Sequence, residues 1–389
     1  MFGRTARVLA DAGKGAAGSS KAGNRVRYLD EYRDRRIASA LARQIAQRTT
    51  RQWVLMEICG GQTHTILRYG LQDLLPGKIE LVHGPGCPVC VTPLETIDKA
   101  IALASRPDVT LVSYGDMLRV PGSHSDLFEV KAHGGDIRVA YTPMEAVRIA
   151  REYPQRKVVF LAIGFETTAP ANAMAVWQAR REGLTNFLML VSHVLVPPAI
   201  RGLLLSPENR VQGLIAPGHV CTITGCCHYE SIAHDFQVPV VVGGFEPVDL
   251  LEAVLILVTQ LEAGQAELVN QYARSVSHAG NIAAQQLMGE VFEVADQKWR
   301  GIGVIPSSGL RLRPEYAAYD ADRVFELREI AVDEPADCIS AQVLQGRKRP
   351  HECPAFGMRC TPENPLGASM VSSEGACAAY YRYRGHAAR

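Results

Sequence analysis

Cysteine is the residue type with the most chemistry to offer in this chain, and the 10 cysteines among 389 residues are unevenly placed. Cys338, Cys353, Cys360 and Cys377 stand near the carboxyl end at intervals C-x14-C-x6-C-x16-C, among prolines and glycines. Structural zinc commonly takes its ligands in pairs from tight C-x2-C turns. Looser spacing, with Cys353 followed directly by Pro354, suits four thiolates around an iron-sulfur cluster. The stretch QGRKRPHE at 345–352 is too polar to build an apolar core, so a metal centre better explains how this region folds. Zinc, or cysteines packed as small hydrophobes, are the alternatives these residues leave open.

Cys87 and Cys90 form a C-x2-C step between an apolar run and a helical pattern that starts near Thr92. Unpaired N–H groups at a helix start favour thiolate, and this spacing permits a reversible disulfide; half of a zinc site or plain packing are the competing readings. Cys59 stands alone at a strand end before two glycines, which let a bound group approach the backbone. Thr63 and His64 follow within about a turn and a half, Thr63 as a candidate N-cap and His64 as a hydrogen-bond partner for whatever Cys59 holds. Glu166 and Glu246 each end a Gly-Phe-Glu segment, and His219 follows Pro217-Gly218. Facing one cleft, they would give and take protons; singly, they would cap helices or brace loops. Cys221, Cys226 and Cys227 fit no ligand set and read as packing residues.

Short apolar runs predict strands at 53–58, 78–83, 109–113, 136–140, 157–163, 187–192, 211–216 and 239–242. Helical patterns at 28–50, 92–105, 143–153, 169–182 and 247–263 lie before, between and after them. Strands alternating with helices predict an α/β fold of two parallel-sheet lobes, with a third, metal-binding lobe at the end. The recurrence of Gly-Phe-Glu at 164–166 and 244–246 suggests the lobe division. The expected organisation is a tail at 1–24, α/β lobes at 25–150 and 151–264, and a C-terminal lobe at 265–389. In open α/β sheets, ligands sit beyond the carboxyl ends of the strands. The segments bearing Cys59, Cys87, Glu166, His219 and Glu246 all fall there.

A formal charge of +1 argues against a polyanion partner. No phosphate loop or dinucleotide fingerprint follows a strand, so nucleotide binding by the usual loops is not supported. No apolar run approaches the roughly 18 residues of a membrane span. A cytoplasmic, reducing compartment is expected, where clustered cysteines mean metal or redox chemistry more often than staples.

Taken in order, CGGQTH at 59–64, GPGCPVC at 84–90, GFETTAP at 164–170, PGH at 217–219 and GGFEP at 243–247 resemble the HypD family of hydrogenase maturation proteins. ECPAFGMRCTP at 352–362 and MVSSEGACAAYY at 370–381 extend the match almost to the carboxyl end. The resemblance implies a 4Fe-4S cluster on Cys338, Cys353, Cys360 and Cys377. It further implies a scaffold for assembling the Fe(CN)2CO group of nickel-iron hydrogenase. Cys59 would hold that iron transiently, beside Thr63 and His64, with a second thiolate from the small chaperone HypC. Cys87 and Cys90 would relay electrons from the cluster, and HypE would bring cyanide as a thiocyanate. The finished group is destined for the hydrogenase large-subunit precursor. Gln62 departs from the family pattern, which has histidine there in some members. The rival function is a stand-alone iron-sulfur thiol-disulfide oxidoreductase, which needs neither a partner nor Cys59. A zinc-stabilised interaction protein is the blander third.

Overall fold

All eight apolar runs form strands: β1 (Trp53–Glu57), β2 (Ile79–His83), β3 (Val109–Ser113), β4 (Asp136–Val139), β5 (Lys157–Gly164), β6 (Phe187–Val194), β7 (Gly213–Pro217) and β8 (Val240–Gly243). Three more follow, β9 (Leu268–Asn270), β10 (Phe292–Trp299) and β11 (Gly303–Leu312). The computed structural model describes residues 30–327, 332, 334 and 336–385, and the tail expected at 1–24 lies outside them.

The strands pair into two sheets, ordered β2-β1-β7-β8-β9 and β10-β11-β6-β5-β3-β4. The first is parallel throughout; the second is parallel except where the β10–β11 hairpin joins β6. Side chains alternate between faces, as the two-residue period of a strand requires. In β5, Val159, Leu161 and Ile163 enter a core shared by both sheets, which Met56, Leu214 and Val240 reach from the other side. Val158, Phe160 and Ala162 pack instead under helices Pro143–Glu152 and Ala169–Arg181. Helices Arg35–Arg48 and Pro247–Glu262 cover the far face of the first sheet, around Leu55, Ile215 and Val241. Burial on both faces is why these strands read as unbroken apolar runs.

The α/β class is as expected, but the strand pairing crosses the expected boundaries. The chain leaves the first sheet after β2, builds β3 to β6 of the second, and returns at β7. A break at 150/151 therefore falls inside one sheet, and the stretch from 265 gives β9 to the first sheet and the hairpin to the second. Apolar strands look alike in either sheet, so the order of runs along the chain cannot say which neighbours they choose. Among the described residues no helix is long and apolar enough to cross a membrane.

Candidate functional site

In the first sheet the strand order reverses between β1 and β7, leaving a crevice beyond their carboxyl ends. Cys59 follows β1 and His219 follows β7. The Cys59 backbone is extended and opens helix Gly60–Arg68. Its Sγ lies 3.8 Å from both ring nitrogens of His219, which stacks on Phe245 at 4.9 Å. Burial, with the Glu374 carboxylate second, holds the Cys59 thiol well above its ordinary range, and burial drops His219 to about 4. The resting pair is therefore a neutral thiol beside a neutral imidazole. A soft metal bound at this sulfur would displace its proton, and His219 is the nearest acceptor.

The thiol pair leans directly on this site. A side chain at Gly86 would put its Cβ 2.4 Å from the Cys59 Cα and nitrogen, so only glycine allows the contact. Gly60 N–H donates to the Gly86 carbonyl at 3.0 Å, closing the two loops together. Cys87 then caps the short helix Pro88–Val91 by accepting the Cys90 N–H, and the two cysteines form a disulfide with Cα atoms 5.2 Å apart. Each is only 2% exposed.

Behind Cys59, Glu57 is fully buried at the end of β1. Its Oε2 accepts the Cys59 N–H at 2.9 Å, and its Oε1 accepts the Thr63 hydroxyl at 2.5 Å and the His83 Nδ1–H at 2.6 Å. Thr63 is thus a strut within the first helical turn, and the N-cap position belongs to Cys59. His64 turns away: its Nδ1–H donates to the Ser373 carbonyl and its Nε2 accepts from Tyr383, both at 3.2 Å. Five residues at about 100° each carry His64 to another helix face than the one Thr63 shares with Cys59. His219 occupies the place expected for it. Gln62 donates its amide to the carbonyls of Ala216, Gly243 and Gly244, tying β7 and β8 to the helix.

The two Gly-Phe-Glu segments end strands of different sheets and diverge in role. Glu246 receives Arg33 in a bidentate ion pair (2.5 and 2.8 Å) and shares a capping box with Asp249; this is a structural setting. Glu166 is 2% exposed, accepts the Val196 N–H at 2.9 Å, and has no partner for Oε2. Burial pushes its carboxyl from 4.5 up to about 7. The folded state thus holds this proton more tightly, so the linked stability is complete below pH 4.5 and is lost as pH rises to about 7. The uncharged isostere Glu166→Gln should gain about 3 kcal/mol on wild type between about pH 5 and about pH 8. Urea unfolding at both values measures this, and a pH-independent difference would refute it.

The four C-terminal cysteines line one cavity, walled also by Phe356 and Met370. Gly357, at φ 68°, turns the chain so that Cys360 N–H meets the Ala355 carbonyl, bringing Cys353 and Cys360 to the same wall. A Cβ at Gly367 would lie 2.6 Å from the Cys338 sulfur. Burial and then the three neighbouring thiols push Cys377 well up. The buried Ser369 hydroxyl on the same wall has no partner. Four thiols and an orphan donor fit a multinuclear cluster, whose sulfurs accept hydrogen bonds. Among the described residues, no three His, Cys, Asp or Glu side chains gather closely enough for a single metal ion.

Helix Ala376–Arg384, with Cys377 in its first turn, packs on helix Gly60–Arg68, and Arg119 donates to the Val371 carbonyl at 3.0 Å. Glu374 is fixed here too, its Cβ against Gly60. The sequence reading missed Glu57, His83, Tyr380 and Glu374. For Glu57 and His83 the one usable signal was a charged or imidazole residue closing a largely apolar strand, WVLME and IELVH. Cys221 and Cys226 are core residues, as read.

A lone cysteine at a switch point, a cysteine pair against its backbone and a four-cysteine cavity packed on its helix define an α/β protein organised around thiols. The HypD profile, described as "Hydrogenase formation hypA family", matches residues 36–384. The chain is 48% identical over 368 residues to hydrogenase maturation factor HypD2 of Bradyrhizobium diazoefficiens, covering 92% of this chain and 97% of that one. It is similarly 48% identical to HypD of Rhizobium leguminosarum bv. viciae (92% and 96% covered) and 45% identical to HypD of Escherichia coli (92% and 98%). The chain belongs to the HypD family.

Proposed function

We propose that this protein, acting in hydrogenase maturation as its relatives' names state, is the scaffold on which the Fe(CN)2CO group is assembled. Cargo iron is held on Cys59, with a second thiolate from HypC, and cyanide arrives from HypE. The observation that carries this reading is the Gly86–Cys59 contact, which seats the loop of a redox-capable cysteine pair against the backbone of the residue read as the iron ligand. Cys338, Cys353, Cys360 and Cys377 would hold a 4Fe-4S cluster, which supplies single electrons when bound.

The chain's own residues then divide the work. Cys59 gives up its proton and binds iron, with His219 nearest to receive it. Reduction of the Cys87–Cys90 disulfide takes two electrons and two protons from a low-potential external donor and breaks the S–S bond. Reoxidation of the two thiols returns two electrons and two protons. The electrons and one proton cleave a thiocyanate to thiol and cyanide, which iron takes, and the other proton is released. Near-complete burial of Cys87 and Cys90 keeps these electrons from other acceptors. It also disfavours the stand-alone oxidoreductase, since exchange with a protein disulfide needs direct access to a sulfur.

Protein purified without oxygen should carry about four cluster irons with matching acid-labile sulfide, and visible absorption that bleaches on reduction. A colourless, zinc-bearing preparation would refute the electron-relay half of the proposal.

A further inference from the structure

We propose that His83 and Tyr380 are positioning residues, through which the four-cysteine lobe sets the geometry of Cys59. The inference rests on Cys59 being the working thiol of the proposed function, but its physical content is a hydrogen-bond chain that exists whatever Cys59 binds. Glu57 is the hub. It is fully buried, and one of its oxygens holds the Cys59 N–H, so the orientation of this carboxylate fixes the loop on which the thiol sits. The other oxygen takes the Nδ1–H of His83, the last residue of the neighbouring strand β2 and only 3% exposed.

With Nδ1 donating, Nε2 is left as an acceptor, and the Tyr380 hydroxyl stands 3.3 Å from it, the rings edge to face at 5.4 Å. Tyr380 lies on helix Ala376–Arg384, about one turn beyond Cys377. Whatever fixes Cys377 in its cavity therefore fixes Tyr380, and through two hydrogen bonds it orients the carboxylate under Cys59. Gln72 donates to the same hydroxyl at 3.4 Å, holding it in place from the side of the first sheet. Other polar side chains of helix Ala376–Arg384 lead elsewhere: Tyr383 meets His64 at 3.2 Å, and Arg384 pairs with Asp73 and Gln72. A buried network of this kind loses more than one bond's worth when a member is removed, because its neighbours are left unsatisfied.

The test is peptide-resolved alkylation of the full chain by iodoacetamide, comparing Cys59 with Cys221. Cys221 is equally buried, on helix Gly218–Thr224 outside the network. Loss of the network should raise local opening, so Cys59 alkylation should increase at least about fivefold in His83→Ala and, less strongly, in Tyr380→Phe, with Cys221 unchanged. His83→Asn, whose amide nitrogen stands near the Nδ1 position but which has no group at the Nε2 position for Tyr380, should bring Cys59 back to the Tyr380→Phe rate. Unchanged Cys59 rates in His83→Ala or in Tyr380→Phe would overturn the proposal. So would a parallel rise at Cys221, or failure of His83→Asn to rescue, since either makes these residues ordinary core packing. None of these readouts depends on iron, so the scaffold reading can fail while this one stands.

Discussion

Cys59→Ala is expected to lower retention of the cargo iron more than about tenfold while leaving the visible absorption of the four-cysteine centre intact. The two sites share no ligand: Cys59 closes β1, whereas Cys338, Cys353, Cys360 and Cys377 line a separate cavity. Alanine removes a sulfur that points toward His219 and meets the backbone N–H groups of Gly61 and Gln62, while the Thr63 N–H still finds the residue 59 carbonyl. Glu57 still receives the residue 59 N–H, so the loop keeps its shape. Iron and sulfide analysis beside the visible spectrum separates the two losses. Full cargo retention in the variant would remove Cys59 from the mechanism.

Cys377→Ala should act in the opposite sense, abolishing the chromophore and leaving the Cys87–Cys90 pair oxidised when dithionite is added. Cys377 sits in the first turn of the helix that packs on the Cys59 helix, so its loss should also loosen that contact. The variant leaves three thiols on the cavity wall beside the Ser369 hydroxyl, which has no partner. Thiol counting before and after dithionite, with wild type as reference, reads the electron path. Equal reduction of Cys87 and Cys90 in the variant would show that electrons reach the pair directly, and the relay would be discarded.

Much of this arrangement was legible in the residues. Parallel strands buried on both faces announce themselves as apolar runs, so β1 to β8 and helices Leu94–Ala104, Pro143–Glu152 and Ala169–Arg181 were readable, with ends shifted by a residue or two, whereas helices Val196–Leu205 and Cys227–Phe236 were not singled out. Which sheet each strand joins was not, because Val, Ile and Leu carry no address, and the partners of β1 come from 79–83 and 213–215. The short β9 and the alternating, half-exposed β10 lacked the apolar signal altogether. At the site, the cysteines declared their chemistry by type and spacing. His64 looked close to Cys59 along the chain but lies on another face of its helix, while His219, 160 positions away, reaches the sulfur. Glu57, His83 and Tyr380 meet only because β1, β2 and the last helix converge, and nothing local in the sequence encodes that meeting.

Infrared spectroscopy of protein purified without oxygen alongside its maturation partners tests the central claim most directly. The account predicts cyanide and carbonyl stretching bands on the wild-type chain that disappear in Cys59→Ala and persist, where iron has been loaded, in Glu246→Gln. Bands that survive the loss of Cys59, or a wild-type protein that never shows them, would contradict it.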